Sequence, residues 1–98
     1  MLEWFARHTE SAPPVLGARA RAYVVGVPAT VPLPEALASA ATAALRQVAR
    51  QPEGRGTALD LLAADALITL ALLAQAELDP ARLHDFATRL LHSELARA

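Results

Sequence analysis

Across residues 58–78, ALDLLAADALITLALLAQAEL, apolar residues fall at nearly every helical phase and leave almost no polar stripe. Leu59, Leu62, Ala63, Ala66, Leu70, Leu73 and Ala74 follow one another at spacings of three and four, which predicts a helix over about 57–77 with that set turned inward. Leu61, Leu67, Ile68 and Leu72 cover much of the remaining circumference. Thr57 is placed to cap the N-terminus, with Asp60 at the third helical position where a capping-box acid sits. Gly54 and Gly56 break whatever precedes. A helix apolar nearly all round must be covered on most sides. In so short a chain this makes it the central helix, with a spare face available to another subunit.

Two further helices follow from the same periodicity. Over 79–96, Asp79 and Pro80 make a cap and first position, and Leu78 and Leu83 are spaced as a hydrophobic staple. Leu83, Phe86, Ala87, Leu90, Leu91 and Leu95 then form the inward stripe. Over 34–50, Leu37, Ala41, Ala44, Leu45 and Val48 point inward from a mostly alanine face, and Pro52 with Gly54 ends the run. Residues 15–27 are ambiguous. Leu16, Ala20, Tyr23 and Val24 recur with helical period, whereas AYVVGV is β-branched and aromatic enough for a strand; the longer pattern favours a helix. The three prolines of GVPATVPLP make 26–34 an extended connector. The first ten residues form a short amphipathic helix carrying Leu2, Trp4 and Phe5. The expected fold is thus all-α: one domain over 1–98, built as a bundle of three main helices and one or two short N-terminal ones.

A membrane-spanning role for the apolar helix is disfavoured. A span needs about 20 predominantly apolar residues, but the uncharged run here covers only residues 66–76, with Asp60 and Asp65 before it and Glu77 after. The first ten residues contain Glu3 and Arg7 and no apolar core of the secretory kind, so a cytoplasmic location is expected.

Composition narrows the chemistry. Nine basic residues, all arginine, stand against ten acidic ones for a net charge of −1, which is not the basic excess of a nucleic-acid-binding domain. There is no cysteine, hence no disulfide, thiolate metal site or cysteine nucleophile. His84 and His92 are eight residues apart, not the three or four that two ligands on one helix need, and His8 is remote in sequence. No metal or cofactor is expected. Ser11, Ser39 and Ser93 lie in no nucleophile motif, and EGRGT before the central helix lacks the glycine spacing of a phosphate-binding loop. Asp65 lies mid-helix in the apolar segment; the expectation is that Asp65 and Thr69, one turn apart, mark a solvent-facing strip, with Asp65 as a possible buried polar residue the alternative.

What remains is an apolar excess. Hydrophobic residues make up 54% of the chain and charged ones 19%, against about 45–50% and 25% in ordinary domains. The expected role is a non-enzymatic protein-interaction or oligomerisation module, pairing with itself as a homodimer or with another protein. Trp4, Phe5, Leu61, Ile68 and Leu72 are the candidate interface residues, since aromatic and bulky apolar side chains anchor such surfaces. The alternative is a small-molecule or lipid-binding bundle with an apolar pocket between alanine-rich helices.

Overall fold

A computed structural model describes the backbone of residues 1–97 and the side chains of residues 1–93. Five helices follow in order: α1 (Leu2–His8), α2 (Pro14–Val25), α3 (Leu33–Arg50), α4 (Arg55–Leu78) and α5 (Leu83–Arg97), with a single 3-10 turn at Pro80–Arg82. No strand occurs among the described residues, so the all-α expectation holds. The Cα radius of gyration is 13.0 Å, the value of a compact domain of this size.

The ambiguous stretch is helical over Pro14–Val25: Pro13 and Pro14 start α2 where no amide donor is needed, and Ala20 and Val24 are buried one turn apart. The connector after it is not extended. The Val27 amide donates to the Val24 carbonyl and the Val31 amide to the Pro28 carbonyl, so the segment is a pair of tight turns. The prolines flank the turns and do not enforce extension: Val25 and Gly26 form the middle of the first, Ala29 and Thr30 that of the second, and Pro28 and Pro32 stand outside those middle positions.

The centre of the molecule is the α3–α4 pair. Ala36, Leu37, Ala40, Ala41 and Ala44 on α3 are buried, as are Ala63, Ala64, Leu67, Ala71 and Ala74 on α4. With alanine on both sides the two backbones approach closely, and Leu37 and Leu67 fill the space between. Phe5 from α1, Val24 from α2 and Phe86 from α5 close this core from three directions.

Several details of α4 differ from expectation, and they share one cause. Its inward face is Asp60, Ala63, Ala64, Leu67, Ala71, Ala74 and Gln75, while Leu62 and Leu73, expected inside, are 55% and 40% exposed. A helix apolar all round carries no net hydrophobic direction, so periodicity alone cannot set its rotation. The rotation is set by fit to the alanine surface of α3, which admits small residues and, of the α4 leucines, fully buries only Leu67. The helix also begins two residues early, at Arg55 after Gly54, and Thr57 is not its cap: the Thr57 hydroxyl donates to the Pro52 carbonyl at 2.6 Å. By length and composition α4 is apolar enough to cross a bilayer, and 39% of its most apolar window is buried within the fold.

At the far end, the Asp79 amide donates to Gln75 O and the Gln75 side-chain amide donates to Asp79 O, closing the last turn of α4. Leu78 is 69% exposed, so it forms no buried staple with Leu83. On α5 Phe86 is buried, Leu83, Ala87 and Leu90 are half-buried, and Leu91, expected inside, is exposed. Leu95 lies outside the described side chains.

Candidate functional site

Three features stand out: a buried carboxylate, a clasp at the N-terminus and an exposed leucine face. The carboxylate is Asp60, not Asp65. Asp60 is fully buried against α2, and its Oδ1 accepts two hydrogen bonds, from Arg19 Nη1 at 2.8 Å and from the Tyr23 hydroxyl at 2.8 Å. Arg19 and Tyr23 are four residues apart on α2, which places both on one face, one turn above the other. The guanidinium is half-exposed, so one end of this ion pair reaches the surface and the other does not. Asp60 Oδ2 is buried with no partner among the described residues. Burial, the hydrogen bond to Asp60 and the nearby negative charge push the Tyr23 phenol above its ordinary pKa, against a smaller opposing pull from Arg19. All three side chains are engaged with one another, which makes the group a fastener between α2 and α4.

The second feature ties α1 to the end of α4. The Trp4 indole Nε1 donates to Glu77 Oε1 at 2.9 Å, and the Trp4 and His8 rings stack with centroids 3.9 Å apart and planes 19° from parallel. His8 Nδ1 lies 2.8 Å from the Trp4 carbonyl and therefore carries a proton, since a carbonyl only accepts. Its Nε2 faces Glu77 Oε2 at 3.6 Å. Phe5, one residue from Trp4, is 2% exposed. The two aromatics expected at an interface thus have separate placements: Phe5 is core, which removes it from any surface role, and Trp4 is half-buried and bound to Glu77.

The third feature is the outer face of α4. Leu61, Leu62 and Leu73 are 52%, 55% and 40% exposed, and Asp65 and Thr69 lie between them in solvent. Asp65 is therefore exposed, and with Thr69 it forms the polar strip. Aspartate hydration is retained there at no cost, whereas Asp60 is buried with an arginine and a tyrosine to receive it. The Thr69 hydroxyl donates back to the Asp65 carbonyl at 3.0 Å. Of the other interface candidates, Leu61 and Leu72 lie on this face and Ile68 at its edge, with Leu72 and Ile68 half-buried against the core.

An open cleft of about 390 Å3 separates α3 from α5. Glu35, Ser39 and Arg46 line one wall and Phe86, Arg89 and Leu90 the other. It lies beside the alanine-rich helix, yet it is open and mixed in chemistry, not an enclosed apolar cavity. His84 and His92 are exposed, and no group of three His, Asp or Glu among the described residues is arranged to hold a metal ion.

Fold and surface together define a small all-α bundle. Set against family models, curated proteins and solved structures, the chain matches none.

The Asp60 group escaped the sequence reading because Asp60 fell where a capping acid sits. A usable signal was present on the other helix, where Arg19 and Tyr23 at i,i+4 present two donors from one face to a single acceptor.

Proposed function

We propose that this protein is a non-enzymatic interaction module that associates with a second copy of itself through the outer face of α4. One observation carries the reading: three leucines, each at least two-fifths exposed, are aligned on one side of the longest helix. Exposed leucine gathered on one helix face marks a binding site more than single scattered apolar residues do. Apart from the central Asp65–Thr69 strip, the face is leucine and alanine with few charges, in keeping with the depletion of charge at interfaces. A binding role in place of catalysis is supported by the Asp60 group, whose guanidinium and hydroxyl both donate to Asp60 Oδ1 inside the fold.

Sedimentation equilibrium at micromolar concentration tests the reading. It predicts a mass above that of one chain for the native protein, and the single-chain mass for Leu62→Ser with unchanged helicity. A single-chain mass for the native protein at every concentration contradicts it, as does flotation of the native protein with lipid vesicles, which would assign the same face to a bilayer.

A second reading, a binding site for a small amphipathic molecule, is favoured by the α3–α5 cleft. Its volume lies within the range of ligand sites, about 300–1,000 Å3, and Arg46 and Arg89 are available beside the apolar ring of Phe86.

A further inference from the structure

The outer face of α4 reads the same from either end. Residues at equal distances before and after Leu67 fall at mirrored angles about the line opposite it, since each residue turns the helix by about 100°. Leu67 itself is fully buried, so that opposite line is the middle of the exposed face. Moving outward from the centre, Asp65 is matched by Thr69, then Leu62 by Leu72, then Leu61 by Leu73. Ala58 and Ala76 follow on the midline itself. At the limits, Arg55 at the start of α4 is matched by Asp79 immediately past its end. Each apolar residue is matched by one of its own kind, a carboxylate by a hydroxyl, and a cation by an anion.

We infer that the occupant of this face is a second α4 lying antiparallel, related by a twofold axis that passes opposite Leu67. The inference rests on the self-association proposed above and specifies its geometry. A twofold axis brings each residue before the centre level with its counterpart after the centre on the other copy, which is the requirement for a self-complementary interface. Leu62 then packs beside Leu72, and Leu61 beside Leu73, at both ends of the contact. The alanines on the midline let the two axes approach where side chains meet head-on. Ala58 to Ala76 spans about 27 Å at 1.5 Å per residue, enough for a continuous seam.

Charge selects this orientation over the parallel one. In a parallel pair Asp65 would lie level with Asp65, Arg55 with Arg55 and Asp79 with Asp79, three like-charge meetings. The antiparallel pair replaces them with Arg55 against Asp79, twice, and Asp65 against the Thr69 hydroxyl, twice. Neither Arg55 nor the Asp79 carboxylate is engaged by another side chain among the described residues, so both are available. The Thr69 hydroxyl reaches a neighbouring carboxylate by rotation about χ1, giving up its bond to the Asp65 carbonyl.

Cysteine cross-linking reads the register directly, because the chain has no cysteine of its own. The double variant Ala58→Cys, Ala76→Cys is expected to oxidise to a covalent dimer, and each single variant to remain uncross-linked. Within one chain the two positions are too far apart for a disulfide, whose Cα atoms must lie within about 7 Å. Charge reversal supplies an independent check. Arg55→Glu weakens the dimer several-fold, and adding Asp79→Arg restores it. Cross-linking by the single variants, or failure of the double reversal to restore affinity, overturns the antiparallel register. A dimer by sedimentation that yields no cross-link in any variant overturns it too, by moving the interface elsewhere. A native protein that sediments as one chain removes the underlying self-association as well, so the two failures are told apart.

Discussion

The two sides of α4 contain nearly the same residue types and do opposite things with them. The inner side buries four alanines, one leucine, an aspartate and a glutamine. The outer side exposes three leucines around a second aspartate. Ordinary hydropathy ranks leucine above alanine for burial, yet here alanine is inside. Shape decides it, because the facing surface of α3 is itself alanine and two such surfaces exclude bulk by closing on each other. The aspartates make the same point about polar groups. Asp60 is tolerated inside because α2 brings Arg19 and Tyr23 to it, and Asp65, with no such donors, stays in water. Burial in this protein is assigned by the partner surface and not by the residue's own scale.

The contrast can be broken at several points. The largest effect is expected at Leu67, the one bulky aliphatic on the inner side. Leu67→Ala costs about 3 kcal/mol of unfolding free energy in urea titration, the ordinary loss for a buried leucine. Arg19→Ala comes next at about 3 kcal/mol or somewhat less, since it leaves Asp60 buried with only the Tyr23 hydroxyl. The half-exposed position of Arg19 keeps this at the lower end of the range for buried pairs. An unchanged midpoint would show that the ion pair does not hold α2 to α4.

Adding bulk to the inner side costs less but is more diagnostic. Ala64→Leu is expected to lose about 2 kcal/mol by forcing α3 and α4 apart, although it raises the hydrophobicity of the site. A neutral result would mean that the α3–α4 contact has slack.

The Tyr23 phenol gives a pH signature. Its folded-state pKa is raised, so the contribution to stability is complete below the unfolded value of about 10 and is lost as pH climbs through the folded value. Tyr23 is the single tyrosine, so tyrosinate absorbance follows it cleanly. The native protein should titrate above the value seen in urea, and Tyr23→Phe should flatten the alkaline fall in stability. The smallest change in stability belongs to the outer side. Leu62→Ala should move monomer stability by no more than about 0.5 kcal/mol while weakening self-association, a combination that no inner-side variant can give.

Fold class and the starts of α2, α3 and α4 were legible in the chain to within two residues, for reasons visible at particular residues. Helix α5 instead begins at Leu83 after a 3-10 turn and not at Asp79. Pro13 and Pro14 before α2, Pro32 and Pro34 at the start of α3, and Gly54 before α4 each end or begin an element by backbone geometry alone. The rotation of α4 was not legible, because Leu62 and Leu73 fit a 3-4 stripe as well as Leu67 and Ala71 do. That choice depends on α3, and no local pattern contains it. The burial of Asp60 was hidden for the same reason: five residues from the exposed Asp65 on one helix, it differs only in what faces it. The aromatic pair Trp4–Phe5 divided between surface and core, which adjacent positions on a helix do by turning about 100°.

The rotational setting of α4 carries everything else, and thiol-labelling rates along the helix measure it. Single cysteines at positions 62, 64, 71 and 73 would be exposed to a small alkylating reagent in dilute protein. Fast reaction at 62 and 73 with protection at 64 and 71 is predicted, and protection should spread to 62 and 73 as the protein is concentrated. Fast reaction at 64 and 71 with protection at 62 and 73 in dilute solution would contradict the account.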